Sequence, residues 1–200
     1  MKYILLSFVT LLCMSAHGRP GDLPDRKREI EKCMGKIYSV HEFRQIAGSW
    51  RMSVNELSRY PVISPVKYPY ISSGFGKRKH PVYKAQQFHT GIDFAQVRGA
   101  PVYAAGNGVV VRNGYDSGYG IFIEIQHVGG FRSFYAHLSK TLVNAGDSVW
   151  MGKRIARVGN SGTSTGYHLH YEIRKGNRFL NPTEWCCCLL DVLKSKHNII

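Results

Sequence analysis

Acidic residues are scarce in this chain, cysteines are few, and only one stretch is apolar for long. Against 27 lysines and arginines stand 13 aspartates and glutamates, a net charge of +14. That imbalance speaks about partners rather than fold and points to anionic ones such as envelope polymers and lipid headgroups. Basic runs interleaved with aromatics are missing, as is any nucleic-acid-binding motif, so nucleic acid is not an expected partner. After residue 14 no stretch is apolar enough to cross a bilayer, which takes about 20 such residues. There is no internal repeat. A length of 200 residues with 44% hydrophobic content therefore suggests one folded domain with extensions.

The single apolar run, residues 4–14, follows Lys2 and precedes the small residues Ser15, Ala16 and Gly18. This is the layout of a secretory signal peptide over residues 1–18, with cleavage after Ala16 or Gly18. The expectation is an exported protein of the periplasm or cell envelope, or a secreted one, with no transmembrane segment once the signal is removed. Cys13 is a poor lipidation site, because the bulky Leu11 and Leu12 precede it. Export permits disulfides. Cys186, Cys187 and Cys188 have no zinc-finger spacing. They read either as thiols of a terminal helix or as partners for a bridge from Cys33.

Residues 19–62 read as a helical N-terminal extension. Ile30, Met34, Ile37 and Tyr38 recur at helical spacing, and Ser53 with Glu56 forms a capping-box pattern. His41-Glu42-Phe43-Arg44-Gln45 begins like the zinc-protease helix motif but has Gln45 where the second ligand belongs. The extension is expected to pack against the body, the alternative being a cover over a groove. From Pro61 the texture changes to short apolar runs separated by glycine-rich turns. Strands are expected at 101–104, 108–112, 121–127, 131–138, 148–149, 154–158 and 167–174. Many short strands without intervening helices make an all-β core of antiparallel sheets, a sandwich or barrel. Asn181-Pro182-Thr183-Glu184 opens a short C-terminal helix expected from Thr183 to about Lys196, with Trp185, Leu189 and Val192 on one face.

Residues 166–172 carry the chemistry. On a strand, His168 and His170 share one face, with Leu169 and Tyr171 on the other. His89 and Asp93 stand four apart around Gly91. With His170 they make two imidazoles and one carboxylate, three ligands with a fourth position left for water, as in a catalytic zinc site. His137 and His168 are then candidates for activating water and binding the developing oxyanion. Glu172 shares their face and is either a base or a partner that orients a ligand. His127 is read as an ordinary strand-end histidine. Two rivals exist. Gly162-Thr163-Ser164-Thr165-Gly166 matches a nucleophile elbow but is followed by a strand, not a helix. Two histidines and a carboxylate also hold Fe(II) in oxygenases.

The chain resembles the M23 (lysostaphin/LytM-like) zinc metallopeptidases. The matching pieces stand in family order over roughly residues 66–183. They are Gly76-Lys77-Arg78-Lys79-His80-Pro81, His89-Thr90-Gly91-Ile92-Asp93, Gly99-Ala100-Pro101-Val102-Tyr103-Ala104, Gly118-Tyr119-Gly120, Tyr135-Ala136-His137-Leu138-Ser139, Gly162-Thr163-Ser164-Thr165-Gly166 and His168-Leu169-His170. The resemblance implies Zn2+ on His89, Asp93 and His170, catalytic imidazoles at His137 and His168, and an antiparallel β core around a sandwich-like groove. It also implies peptidoglycan cross-links as substrate and places Tyr83 near the intermediate. It puts the peptidase-like domain at 63–185, leaving a C-terminal helical tail at 186–200. The alternative within the resemblance is a non-hydrolytic domain that binds cell wall or activates another hydrolase.

Overall fold

The computed structural model describes residues 23–79 and 86–197. The signal-peptide reading, Cys13 and Tyr83 lie outside the described residues. Among the described residues no helix is long and apolar enough to cross a membrane.

Three helices come first: α1 (Leu23–Lys36), α2 (Val40–Ser49) and α3 (Val54–Leu57). Ser39 caps α2 by accepting from the Glu42 amide. Ser53 and Glu56 satisfy each other's backbone amides at the start of α3, as their spacing predicts. Ile30, Met34 and Ile37 turn inward from α1 and its exit. Phe43 of α2 meets Tyr60 and Trp185 edge-on at 5.2 Å each, and Trp185 meets Phe131 at 5.1 Å. The Lys175 ammonium, at the end of a central strand, donates to the carbonyls of Met34 and Ile37, where α1 leaves its carbonyls unpaired. Burial pushes its pKa down to about 8. The helices thus share one core with the sheet. Truncating Trp185 to alanine would cost about 3–5 kcal/mol.

The β part comprises β1 (Ile71–Ser73), β2 (Gly76–Lys79), β3 (Gln86–His89), β4 (Ile92–Ala95), β5 (Pro101–Tyr103), β6 (Gly108–Asp116) and β7 (Gly120–Gln126). It continues with β8 (Phe131–Thr141), β9 (Ser148–Val149), β10 (Arg154–Val158), β11 (His168–Lys175) and β12 (Arg178–Leu180). One sheet runs β1-β4-β11-β8-β7-β6-β9, with β5, β10 and β12 attached beside it, and β2-β3 forms a separate hairpin. The described strand pairs are antiparallel, as the turn spacing predicts. β11 sits between β4 and β8, and His170 pairs with Asp93 on one side and Ala136 on the other.

Some expectations need correction. β1 to β4 and β12 were not anticipated, because they are three or four residues long and mostly polar or glycine-flanked. The expected C-terminal helix is two, α4 (Pro182–Trp185) and α5 (Cys188–His197). The chain breaks between them so that Trp185, Cys188 and Val192 can all reach the core, and the Leu189 amide donates to Val62. Cys186, Cys187 and Cys188 are free thiols, so the bridge from Cys33 to this cluster is not made. The residues of 23–62 pack at the Phe131 end of the sheet, and none of them lines the groove described next.

A candidate metal centre

Strand register builds this site. β4 carries Asp93 and β11 carries His168 and His170, with Asp93 directly opposite His170. His89 ends β3 and reaches the same point through the tight turn at Thr90-Gly91. That turn requires glycine: a Cβ at Gly91 would stand 2.3 Å from the Tyr171 carbonyl oxygen and 2.8 Å from Glu172 Cγ. Any larger residue would push the turn, and with it His89 and Asp93, away from β11.

Three donor atoms converge. His170 Nδ1 is 2.9 Å from Asp93 Oδ1 and 3.1 Å from His89 Nε2, and His89 Nε2 is 3.2 Å from Asp93 Oδ1. Donors bound tetrahedrally at about 2.0–2.1 Å from zinc stand about 3.3 Å apart, so the triangle is of the right size for one ion. His89, Asp93 and His170 are all buried and form the metal-capable group found among the described residues.

The other nitrogen of each imidazole is anchored. His89 Nδ1 meets the Gly74 carbonyl at 2.8 Å, and His170 Nε2 meets Glu172 Oε1 at 3.0 Å. Each acceptor holds the proton on that nitrogen and leaves a lone pair pointing at the triangle. Glu172 is fully buried; Thr90 and Tyr119 also donate to its Oε1, and Arg174 Nε donates to Oε2 at 2.6 Å. With its oxygens so engaged, Glu172 orients His170, which decides between the two readings of that residue against a base.

Electrostatics also favour a cation here. Burial alone would lower the His170 pKa, but the hydrogen bonds to Asp93 and Glu172 outweigh it and hold the metal-free ring at about 9. Burial would raise Asp93, yet the hydrogen bonds from His170 and His89 keep its carboxyl well below the usual range. Arg78 Nη2 lies 3.5 Å from the second oxygen of Asp93.

Two further imidazoles face the triangle. His168 hangs from β11 with Nδ1 on the Gly166 carbonyl at 2.9 Å and its Nε2 3.7 Å from Asp93 Oδ1. His137 sits where β8 changes partner, from β11 up to Ala136 to β10 from Leu138 onward. Its backbone is left-handed there, φ 57°, which costs a non-glycine residue of order 1 kcal/mol. The Tyr119 carbonyl accepts from its amide at 2.8 Å, and its Nδ1 meets the Ser161 carbonyl at 2.8 Å. This kink turns the ring to within 4.7 Å of His168 and 5.8 Å of His170, centroid to centroid. Burial first, then the neighbouring His168 and His170, push His137 down to about 4, so it is neutral at pH 7 with a lone pair on Nε2.

These groups lie in a groove of about 520 Å³, whose lining also includes Ser72, Arg78, Phe88, Asp116, Tyr119 and Thr163. Ser164 lines it too, but its hydroxyl donates to the Gly166 carbonyl at 2.9 Å in the turn before a strand. It has no nucleophile-elbow setting. Residues that sequence reasoning passed over are Gly74 and Arg174, which act through what they hold, while Thr90 was visible only as a member of a matched motif. Arg78 and Tyr119 were visible only as members of matched motifs.

Residues 87–182 match the family model described as peptidase family M23. The catalytic domain of the prophage-encoded M23 protein EnpA from Enterococcus faecalis is 34% identical. The match covers 60% of this chain and 95% of that one, with a TM-score of 0.54. The chain belongs to peptidase family M23. A zinc-containing peptidase from Vibrio cholerae is 41% identical over 62% of this M23 chain and 38% of its own, TM-score 0.55. The peptidoglycan DD-endopeptidase ShyA of Vibrio cholerae is 45% identical over 124 residues, 62% of this chain. The match spans only 28% of ShyA. With the family membership, the donor triangle marks a metal cofactor site.

Proposed function

We propose that this chain is an exported zinc metalloendopeptidase that hydrolyses peptide cross-links of peptidoglycan. The observation that carries the reading is the triangle of His89, Asp93 and His170 at the floor of an open groove, faced by two imidazoles each anchored at Nδ1. The donor set suits zinc: two imidazole nitrogens and one carboxylate oxygen at tetrahedral spacing, with hydrogen-bonded partners behind the imidazoles. When bound, zinc would lower the pKa of a coordinated water to about 7 and polarise a scissile carbonyl.

The remaining work belongs to side chains. His137, neutral at pH 7, accepts the proton released by the attacking water and returns it to the leaving amine. His168, with its Nδ1 proton on a backbone carbonyl, presents Nε2 to the same space and, in its protonated form, donates from Nε2 to the developing oxyanion. Glu172 keeps His170 in the tautomer that offers Nδ1. Arg78 holds the second Asp93 oxygen, which leaves the first for the metal. The basic surface retains the protein on an anionic wall. D,D-bonds are the favoured cross-links, in keeping with the activity named for ShyA.

The test is mass spectrometry of purified muropeptides incubated with the protein, with and without a chelator. Dimers should fall to monomers, the chelator should stop this, and added zinc should restore it. Zinc-loaded protein that binds muropeptides and leaves them intact would make this a non-hydrolytic wall-binding domain. Iron in protein purified without added metal, with oxygen-dependent turnover, would also overturn the proposal.

A further inference from the structure

The sheet continues past His168 toward its outer strand. Ala95 pairs with His168 across β4 and β11, and the Ala95 amide donates to the Tyr70 carbonyl at 3.0 Å. Tyr70, Ala95 and His168 therefore form one row across the sheet, and paired residues share a face. That face carries Asp93 and His170. β1 is the outer strand of the sheet, so Tyr70 stands at its margin. Ser72 and Ser73, two and three residues further on, line the groove itself. Between Tyr70 and His168 the row carries only Ala95.

Tyr70 is 72% exposed and Tyr68 is 73% exposed. Tyr135 and Tyr171, on the core side of the same sheet, are fully buried. Exposed as they are, the backbone around the first pair is held in place. The Tyr68 carbonyl accepts from the Tyr70 amide at 3.1 Å and from the Gln96 side chain at 2.8 Å. Tyr70 keeps its ring in water on ordered backbone, in the row that runs to His168. Tyr68, two residues before it, is as exposed, with the Lys67 ammonium 5.4 Å from its ring centroid. Exposed aromatic rings so placed suit a flat, partly apolar ligand.

We propose that Tyr68 and Tyr70 form a stacking platform for sugar rings of the glycan strand that carries the cleaved peptide. The proposal rests on the peptidoglycan reading above and adds a subsite to it. A pyranose offers a face of C–H groups to an aromatic ring and hydroxyls to water, which suits a ring that is apolar in its plane and wet at its edge. The spacing agrees. Two strand steps put Tyr70 about 10 Å from His168. A stem of about four residues between scissile bond and sugar spans at most about 14 Å.

The test uses the full-length protein and two kinds of probe. Titration with an N-acetylglucosamine tetramer, followed by NMR of the tyrosine ring signals, should give saturable shifts that Tyr70→Ala abolishes and Tyr70→Phe keeps. Cross-linked muropeptides that retain their sugars should show KM raised about tenfold in Tyr70→Ala with kcat unchanged. The same cross-linked peptides stripped of sugar should be cleaved equally by both proteins. Failure of the wild type to bind the tetramer, with no preference for sugar-bearing substrate, overturns the platform while leaving the hydrolase. Tetramer binding without cleavage of any substrate leaves the platform and overturns the hydrolase. A mass that rises with concentration and drops to monomer in Tyr70→Ala assigns the rings to a second copy of the chain instead.

Discussion

His127 and His137 lie ten positions apart, both buried, yet they do different work. His127 follows β7 and spends both nitrogens on the protein: Nδ1 meets the Asn107 carbonyl at 2.8 Å and Nε2 meets the Ser133 hydroxyl at 2.7 Å. Ser133 then meets the Tyr135 hydroxyl at 2.9 Å, and the Ala105 amide donates to Tyr135 at 2.9 Å. That network is closed, and no lone pair is left for a ligand. His137 anchors only Nδ1 and keeps Nε2 toward the groove. Burial alone does not mark a functional imidazole; the nitrogen left without an internal partner does.

Removing a ligand should break the contrast most sharply. His89→Ala or His170→Ala should lose bound zinc, by metal analysis, and lose muropeptide cleavage down to background. Next come the free-ended imidazoles. His137→Ala and His168→Ala should keep zinc and lower kcat by about 10²–10⁴-fold. Retention of full activity in both would erase the distinction from His127. One step further out, Glu172→Gln weakens the acceptor behind His170 and should cost about 10–100-fold in zinc affinity, read by competition with a chromogenic chelator.

The metal triangle should also titrate, and in a direction that can be worked out. The metal needs the His170 lone pair, while the metal-free ring holds a proton up to about pH 9. Below that pH a proton competes, so zinc should bind about tenfold more weakly for each unit of pH lost, with proton release seen by calorimetry in two buffers. His127 should show the smallest effect on function and a measurable one on stability. Its folded pKa is depressed to about 4 by burial, below the ordinary 6.5. The unfolded chain therefore binds the extra proton between those values, and stability present above pH 6.5 is lost as pH falls toward 4. His127→Gln should lower stability by about 1–3 kcal/mol in denaturant titrations and flatten that acid limb, with kcat/KM on muropeptides kept.

Much of this was legible in the chain. Alternation placed His168 and His170 on one face and Leu169 and Tyr171 on the other, and the structure keeps that division. The Ser53 and Glu56 spacing foretold its capping box. The strands that present His89 and Asp93 were not legible, since each is four residues long, too short to show a periodicity. The helix break at Cys186 and Cys187 was hidden as well, because core packing around Trp185 and Leu189 overrides local propensity there.

By itself the sequence determined the facing of side chains within each strand, because the two-residue period belongs to the backbone and is local. It also set the supply of donors and the basic surface. Only the tertiary structure brought His89 and Asp93 to His170, 81 and 77 positions away, since that meeting depends on strand register. It alone chose which nitrogen of each ring is free, because the choice is made by the acceptor that the fold places at the other one.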